Sequence, residues 1–183
     1  MNFASARTVA AAMVVMVGCG DTGTSPSLTV PPAGTHQAVL TASIGRGLGG
    51  VSVSPVSNAT QTFEATIRVQ VARAARNTTY IVQRAPEVGR ANGADGICQR
   101  ALGQSPWSPS DPPAPGGAFV TFAPAGPPIT LTTDASGNGS VEFRFAVAVI
   151  PAGAAFDVMF RLADDVAAPT TELRSTCFTV TAR

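Results

Sequence analysis

Between Thr62 and Val71 every second residue is apolar. Phe63, Ala65, Ile67, Val69 and Val71 alternate with Thr62, Glu64, Thr66, Arg68 and Gln70. A helix would scatter these apolar side chains around its circumference, whereas a strand gathers them on one side. The period therefore predicts a strand with one dry face and one wet face. It returns at Val141, Phe143, Phe145, Val147 and Val149, against Ser140, Glu142 and Arg144. It returns again at Phe156, Val158, Phe160 and Leu162, against Asp157 and Arg161. Weaker runs cover 37–44, 51–54, 79–84, 119–123, 129–133 and 173–181. No charged amphipathic helix pattern persists beyond the first residues, and 18 Gly and 15 Pro supply turns. Short, half-wet strands with this punctuation predict an all-β, antiparallel β-sandwich of roughly seven to nine strands.

One hairpin is legible in detail. Residues 131–143 read Leu-Thr-Thr-Asp-Ala-Ser-Gly-Asn-Gly-Ser-Val-Glu-Phe. Asp134 can accept bonds from its own turn, and Gly137 and Gly139 permit positive φ. The segment resembles the hairpin of bacterial immunoglobulin-like domains, which carry a Thr-Asp-x-x-Gly turn between two strands. That resemblance implies an immunoglobulin-like sandwich and no particular activity. Asp134-x-Ser136-x-Asn138-Gly139 also opens like a calcium loop. A full loop needs a bidentate Glu at its twelfth position, where this chain has Phe145. A plain turn without metal is expected. Gly45, Gly47 and Gly50 satisfy the spacing of a dinucleotide loop, but that loop must open into a helix. Here Val51-Ser52-Val53-Ser54-Pro55 reads as strand, so no cofactor is expected.

The first 18 residues have the anatomy of an export signal. Arg7 supplies the positive charge, and Val9 to Val17 is an unbroken apolar run. That run is far short of the roughly 20 residues a spanning helix needs. It ends in Met16-Val17-Gly18-Cys19-Gly20, which resembles the lipobox of bacterial lipoproteins. The resemblance implies cleavage before Cys19 and acylation of its thiol, hence a lipid anchor in the cell envelope. In Gram-negative lipoproteins an Asp directly after the acylated Cys favours the inner membrane. Gly20 stands there, so the outer membrane is the expectation. Residues 19–36 form a Gly/Pro/Ser/Thr tether with little to bury, closed by His36. Residues 37–183 are then the folded domain.

With Cys19 set aside, Cys98 and Cys177 remain, and two cysteines in an oxidising compartment are expected to pair. They would close a loop of about 80 residues, for which chain entropy gives roughly 4–5 kcal/mol as an upper value. The bond would pin the charged segment 85–97 to the last strand run, beside the Pro-rich segment 103–118. Binding residues collect on long loops held by rigid scaffolds. Arg84, Arg90, Arg100 and Trp107 on that rim are therefore the candidate partner contacts.

The chain has no Lys, its formal net charge is +1, and only 13% of residues are charged. Such a chain lacks the basic footprint of a nucleic-acid binder. His36 is the only His, so the domain beyond it cannot assemble a Ser-His-Asp or Cys-His centre, or a His-based metal site. Asp164-Asp165 is the only adjacent carboxylate pair, and it reads as a solvated turn. The expectation is a lipid-anchored, non-catalytic envelope protein: a binding or structural module for an unknown protein or glycan partner. The alternative is a carboxylate-only hydrolase acting on an envelope or extracellular polysaccharide, which would need acids converging in a cleft.

Overall fold

The alternation at 62–71 is a strand, β3 (Thr62–Ala72), and its five apolar side chains are all buried. The computed structural model describes residues 34–56, 62–90, 92–103, 119–123, 126–148 and 150–183. These lie within the compact unit Pro31–Arg183. Before β3 come β1 (His36–Ile44) and β2 (Leu48–Val56). After it come β4 (Thr79–Pro86), a one-turn helix α1 (Gln99–Leu102), β5 (Val120–Thr121), β6 (Thr130–Thr132) and β7 (Gly139–Ala148). The last three strands are β8 (Ala155–Ala163), β9 (Glu172–Ser175) and β10 (Phe178–Thr181). His36 opens β1, and its Nε2 accepts the Thr181 N–H at 3.3 Å.

Every strand pairing is antiparallel. The sheet runs β5-β4-β8-β9-β1-β2-β3-β7, with β6 also paired to β4 and β10 also paired to β8. The sheet curls until its ends meet. Phe122, directly after β5, has its ring centroid 4.8 Å from Phe143 and 5.2 Å from Phe145 on β7. Phe63 on β3 meets Phe156 on β8 edge-to-face at 5.5 Å. The fold is thus all-β and sandwich-like. One layer is β7-β3-β2-β1; the other is β8 and β4 with the short strands along their edges. Leu40, Val51, Ile67 and Val69 from the first layer pack against Tyr80, Val82, Leu131, Phe160 and Leu162 from the second. Burying each large apolar side chain contributes about 1.5–3 kcal/mol.

Ten strands form among the described residues, where about seven to nine were expected from spacing alone. The run 173–181 reads as one strand but breaks at Thr176-Cys177 into β9 and β10. Leaving β1, the chain keeps a place beside β8: β9 pairs with β1 and β8, β10 with β8 only.

The third alternating run behaves differently from its pattern. Phe156, Val158, Phe160 and Leu162 of β8 face the core as expected, but Asp157 and Arg161 are not wet. They are 0% and 9% exposed. A second small core of Ala85, Cys98, Ala101 and Met159 covers that outer face. On β7 the reverse holds. Phe143 and Phe145 are half-buried and Val147 is exposed, because β7 ends the sheet.

The β6–β7 connection is the turn read from the sequence. Asp134 Oδ1 accepts the N–H groups of Ser136 and Asn138 at 2.7 and 2.9 Å. These bonds hold its carboxyl below the usual range. Gly137 at φ 81° lets its carbonyl accept the Ala74 N–H at 3.0 Å.

Candidate functional site

The first candidate region is the cap over β8. The chain leaves β4 at Pro86, crosses the outer face of β8 and returns through α1. Cys98 and Cys177 are joined, with Cα atoms 5.5 Å apart, so the expected disulfide is present. Glu87 and Asp157 lie beneath the cap and are 1% and 0% exposed. Both carboxylates hold cap backbone: Glu87 Oε1 accepts the Arg100 N–H at 2.7 Å, and Asp157 Oδ2 accepts the Gly96 N–H at 2.7 Å. Asp157 Oδ1 also accepts the Thr179 hydroxyl at 2.6 Å. Burial pushes the Glu87 carboxyl up, and nearby Asp157 and Asp95 add to this against the Arg100 N–H. These two acids are a clamp sealed under the cap. Replacing both Cys98 and Cys177 with Ala should lower stability by about 2–4 kcal/mol in denaturant titrations. Unchanged stability would mean that the hydrogen bonds alone hold the cap.

A second cluster centres on Glu172, which is 2% exposed. Its Oε2 receives Arg161 Nε at 2.5 Å, while its Oε1 receives Arg174 Nε and the Ser43 hydroxyl, each at 2.6 Å. Arg161 also donates to Gln83 Oε1 at 3.1 Å and to the Val166 carbonyl at 3.2 Å. Phe119 lies beneath both guanidinium groups, 5.7 and 5.2 Å from their central carbons. Every carboxylate oxygen is thus engaged, as a buried charge requires. Asp164 and Asp165, the adjacent acids, cap their own turn. Asp164 accepts the N–H groups of Thr170 and Thr171, and Asp165 those of Ala167 and Ala168. Among the described residues no group of three or more His, Cys, Asp or Glu is placed to hold a metal ion.

The third region is an opening between the two layers. An apolar cleft of about 240 Å³ runs between the β7 edge and the β4–β8 layer. Phe145 and Val147 form one wall; Phe156, Val158 and Phe160 form the other. Arg84 is the one polar side chain among the described residues that line it. Its position follows from the period of β4, where Tyr80 and Val82 point into the core and residue 84 shares their face. The Arg84 guanidinium carbon lies 4.9 Å from the Phe122 ring centroid and 4.3 Å from that of Phe145. Nε is buried and has no hydrogen-bond partner. Burial, and secondarily the charge of Arg100, pulls the Arg84 pKa down to about 10.

Three of the four candidate contacts, Arg84, Arg90 and Arg100, are described residues. Arg84 turns inward and lines the cleft. Arg100 sits on α1 and donates through its side chain to the Pro86 carbonyl at 3.0 Å. Arg90 follows β4 in the cap and accepts the Gly93 N–H through its carbonyl at 3.2 Å. Trp107 and Cys19 lie outside the described residues. Phe122, Phe145 and Val158 were not singled out as site residues in the sequence. The available signal was a charge in the inward register of the run 79–84, following Tyr80 and Val82. No known protein family, curated protein or solved structure matches this chain.

Proposed function

We propose that this chain is a non-catalytic binding module of the bacterial cell envelope, held to the outer membrane by a lipid on Cys19, with the cleft between its layers as the binding site. The observation that carries the reading is the cleft itself. Small-molecule sites are concave, mostly apolar and fitted with few polar groups, and this opening has that composition. The lipobox resemblance at Met16–Gly20 supports the anchor, and the low charge supports a partner other than nucleic acid. A carboxylate-only hydrolase finds less support, because Glu87 and Asp157 are 1% and 0% exposed and each holds a backbone N–H of the cap.

Two measurements test this. In a Gram-negative host the wild type should partition into detergent with the membranes, and Cys19→Ser should not; equal partitioning would remove the anchor. The folded protein should also take up one equivalent of a neutral phenylnaphthylamine dye with enhanced fluorescence. Val147→Asp, on the exposed lip of the cleft, should abolish the uptake. A protein that never binds the dye would defeat the cleft as a binding site.

A further inference from the structure

Arg84 is the one described cleft residue whose chemistry is not that of a core. Its strand neighbours on the same face, Tyr80 and Val82, are completely buried. A cation on an inward face is costly unless something compensates it. The ion pairs among the described residues join Arg144 to Glu64 and Arg161 and Arg174 to Glu172, not Arg84 to an acid. Phe122 and Phe145 supply cation–π contacts. Those contacts use the flat faces of a guanidinium. Its N–H donors lie in the plane, and one of them, Nε, is buried with no acceptor.

We propose that the cleft binds a small amphiphilic carboxylate, its apolar body between Val147 and Val158 and its carboxylate on the Arg84 guanidinium. The proposal rests on reading the cleft as the binding site and goes further by naming the ligand class. Three observations select that class. The other described lining residues are apolar, so a glycan would lose its hydroxyl hydrogen bonds to water without replacement. A cationic ligand would meet Arg84 and, close by, the charge of Arg100. Size narrows the choice further. An apolar cavity of about 150 Å³ holds benzene, while drug-sized ligands fill about 300–1,000 Å³. At about 240 Å³ this cleft suits a body the size of a medium acyl chain or a substituted ring. A planar carboxylate matches the guanidinium fork in two-point geometry.

The test is displacement of the neutral dye from the full chain by octanoate, by octanol and by butyrate. Octanoate should displace it at a concentration at least about ten-fold lower than octanol, as one charge-assisted hydrogen bond allows. Butyrate, with the same head and a shorter body, should be much weaker. The octanoate preference should vanish when the ligand is protonated at acid pH. Arg84→Met keeps an apolar stem and should equalise octanoate and octanol while leaving octanol within about two-fold of wild type. Arg84→Lys should restore part of the preference, and Arg144→Met on the outer face of β7 should leave it intact. If octanoate binds the wild type no better than octanol, the carboxylate assignment is overturned, and this comparison needs no variant to fold. A preference that survives Arg84→Met overturns it too. In either case dye uptake still reports separately on the cleft as a binding site.

Discussion

Glu172→Ala should destabilise the domain by about 3–5 kcal/mol, the cost expected when one partner of a buried ion pair is removed. The carboxylate holds Arg161, Arg174 and Ser43 together across three strands: β8, β9 and β1. Without it Arg161, 9% exposed, keeps only neutral acceptors on Gln83 and Val166. The cluster also sets a pH dependence. Burial works to raise the Glu172 carboxyl, but the bonds from Arg174, Ser43 and Arg161 outweigh it and hold the group below its usual range. A depressed carboxylate contributes its stability fully above the unfolded pKa of about 4.3 and loses it as pH falls through the lower folded value. Denaturant titrations across that acid range should show a slope in the wild type that is weaker in Glu172→Gln. A slope identical in both would take Glu172 out of the account. Glu87, shifted the other way, acts above about 4.3, where its raised folded pKa makes stability fall as pH rises, so Glu87→Gln should remove that fall and leave the acid slope unchanged.

Phe160→Ala should cost about 3–5 kcal/mol. Phe160 is 1% exposed, on β8 between Phe122 at 5.8 Å and Phe178 at 6.0 Å. Removing its ring would enlarge the cleft it lines, so the packing around it cannot simply close the gap. Phe145→Ala serves as the contrast. The sequence pattern puts both phenylalanines on dry faces, yet Phe145 is half-buried at the sheet end. Its loss should cost about 1–2 kcal/mol, in proportion to the apolar area it covers. Equal costs in urea titrations would contradict the placement of β7 at the edge.

That contrast marks how far local pattern reaches. Alternation at 62–71 reports a strand whose two faces meet different solvents, and β3 has those surroundings. The run 156–162 alternates as clearly, but the surroundings of its second face are decided by a segment that leaves β4 at residue 86 and by a bond between cysteines 79 positions apart. Period two reports which side chains share a face and not what covers that face. The same limit explains the candidate site. Arg84 is visible as a charge among apolar neighbours, so its oddity is local. The cleft is not, because Phe145 and Phe160 come together only when the two ends of a ten-stranded sheet curl to meet. Cys98 and Cys177 were pairable from compartment chemistry, but the two acids beneath their cap carry no sequence signature as a pair.

The two walls of the cleft belong to strands of very different permanence. β8 carries Phe156, Val158 and Phe160 and is hydrogen-bonded along both edges, to β4 on one side and to β9 and β10 on the other. Both its faces are covered, so its amides can exchange with solvent only when the domain comes apart. β7 carries Phe145 and Val147 and is held along one edge by β3. Edge strands of this kind open locally at a fraction of the global free energy. The cleft is therefore a vise with one fixed jaw. A guest bound there as proposed would be admitted by the fraying of β7, while the wall that measures its shape stays still.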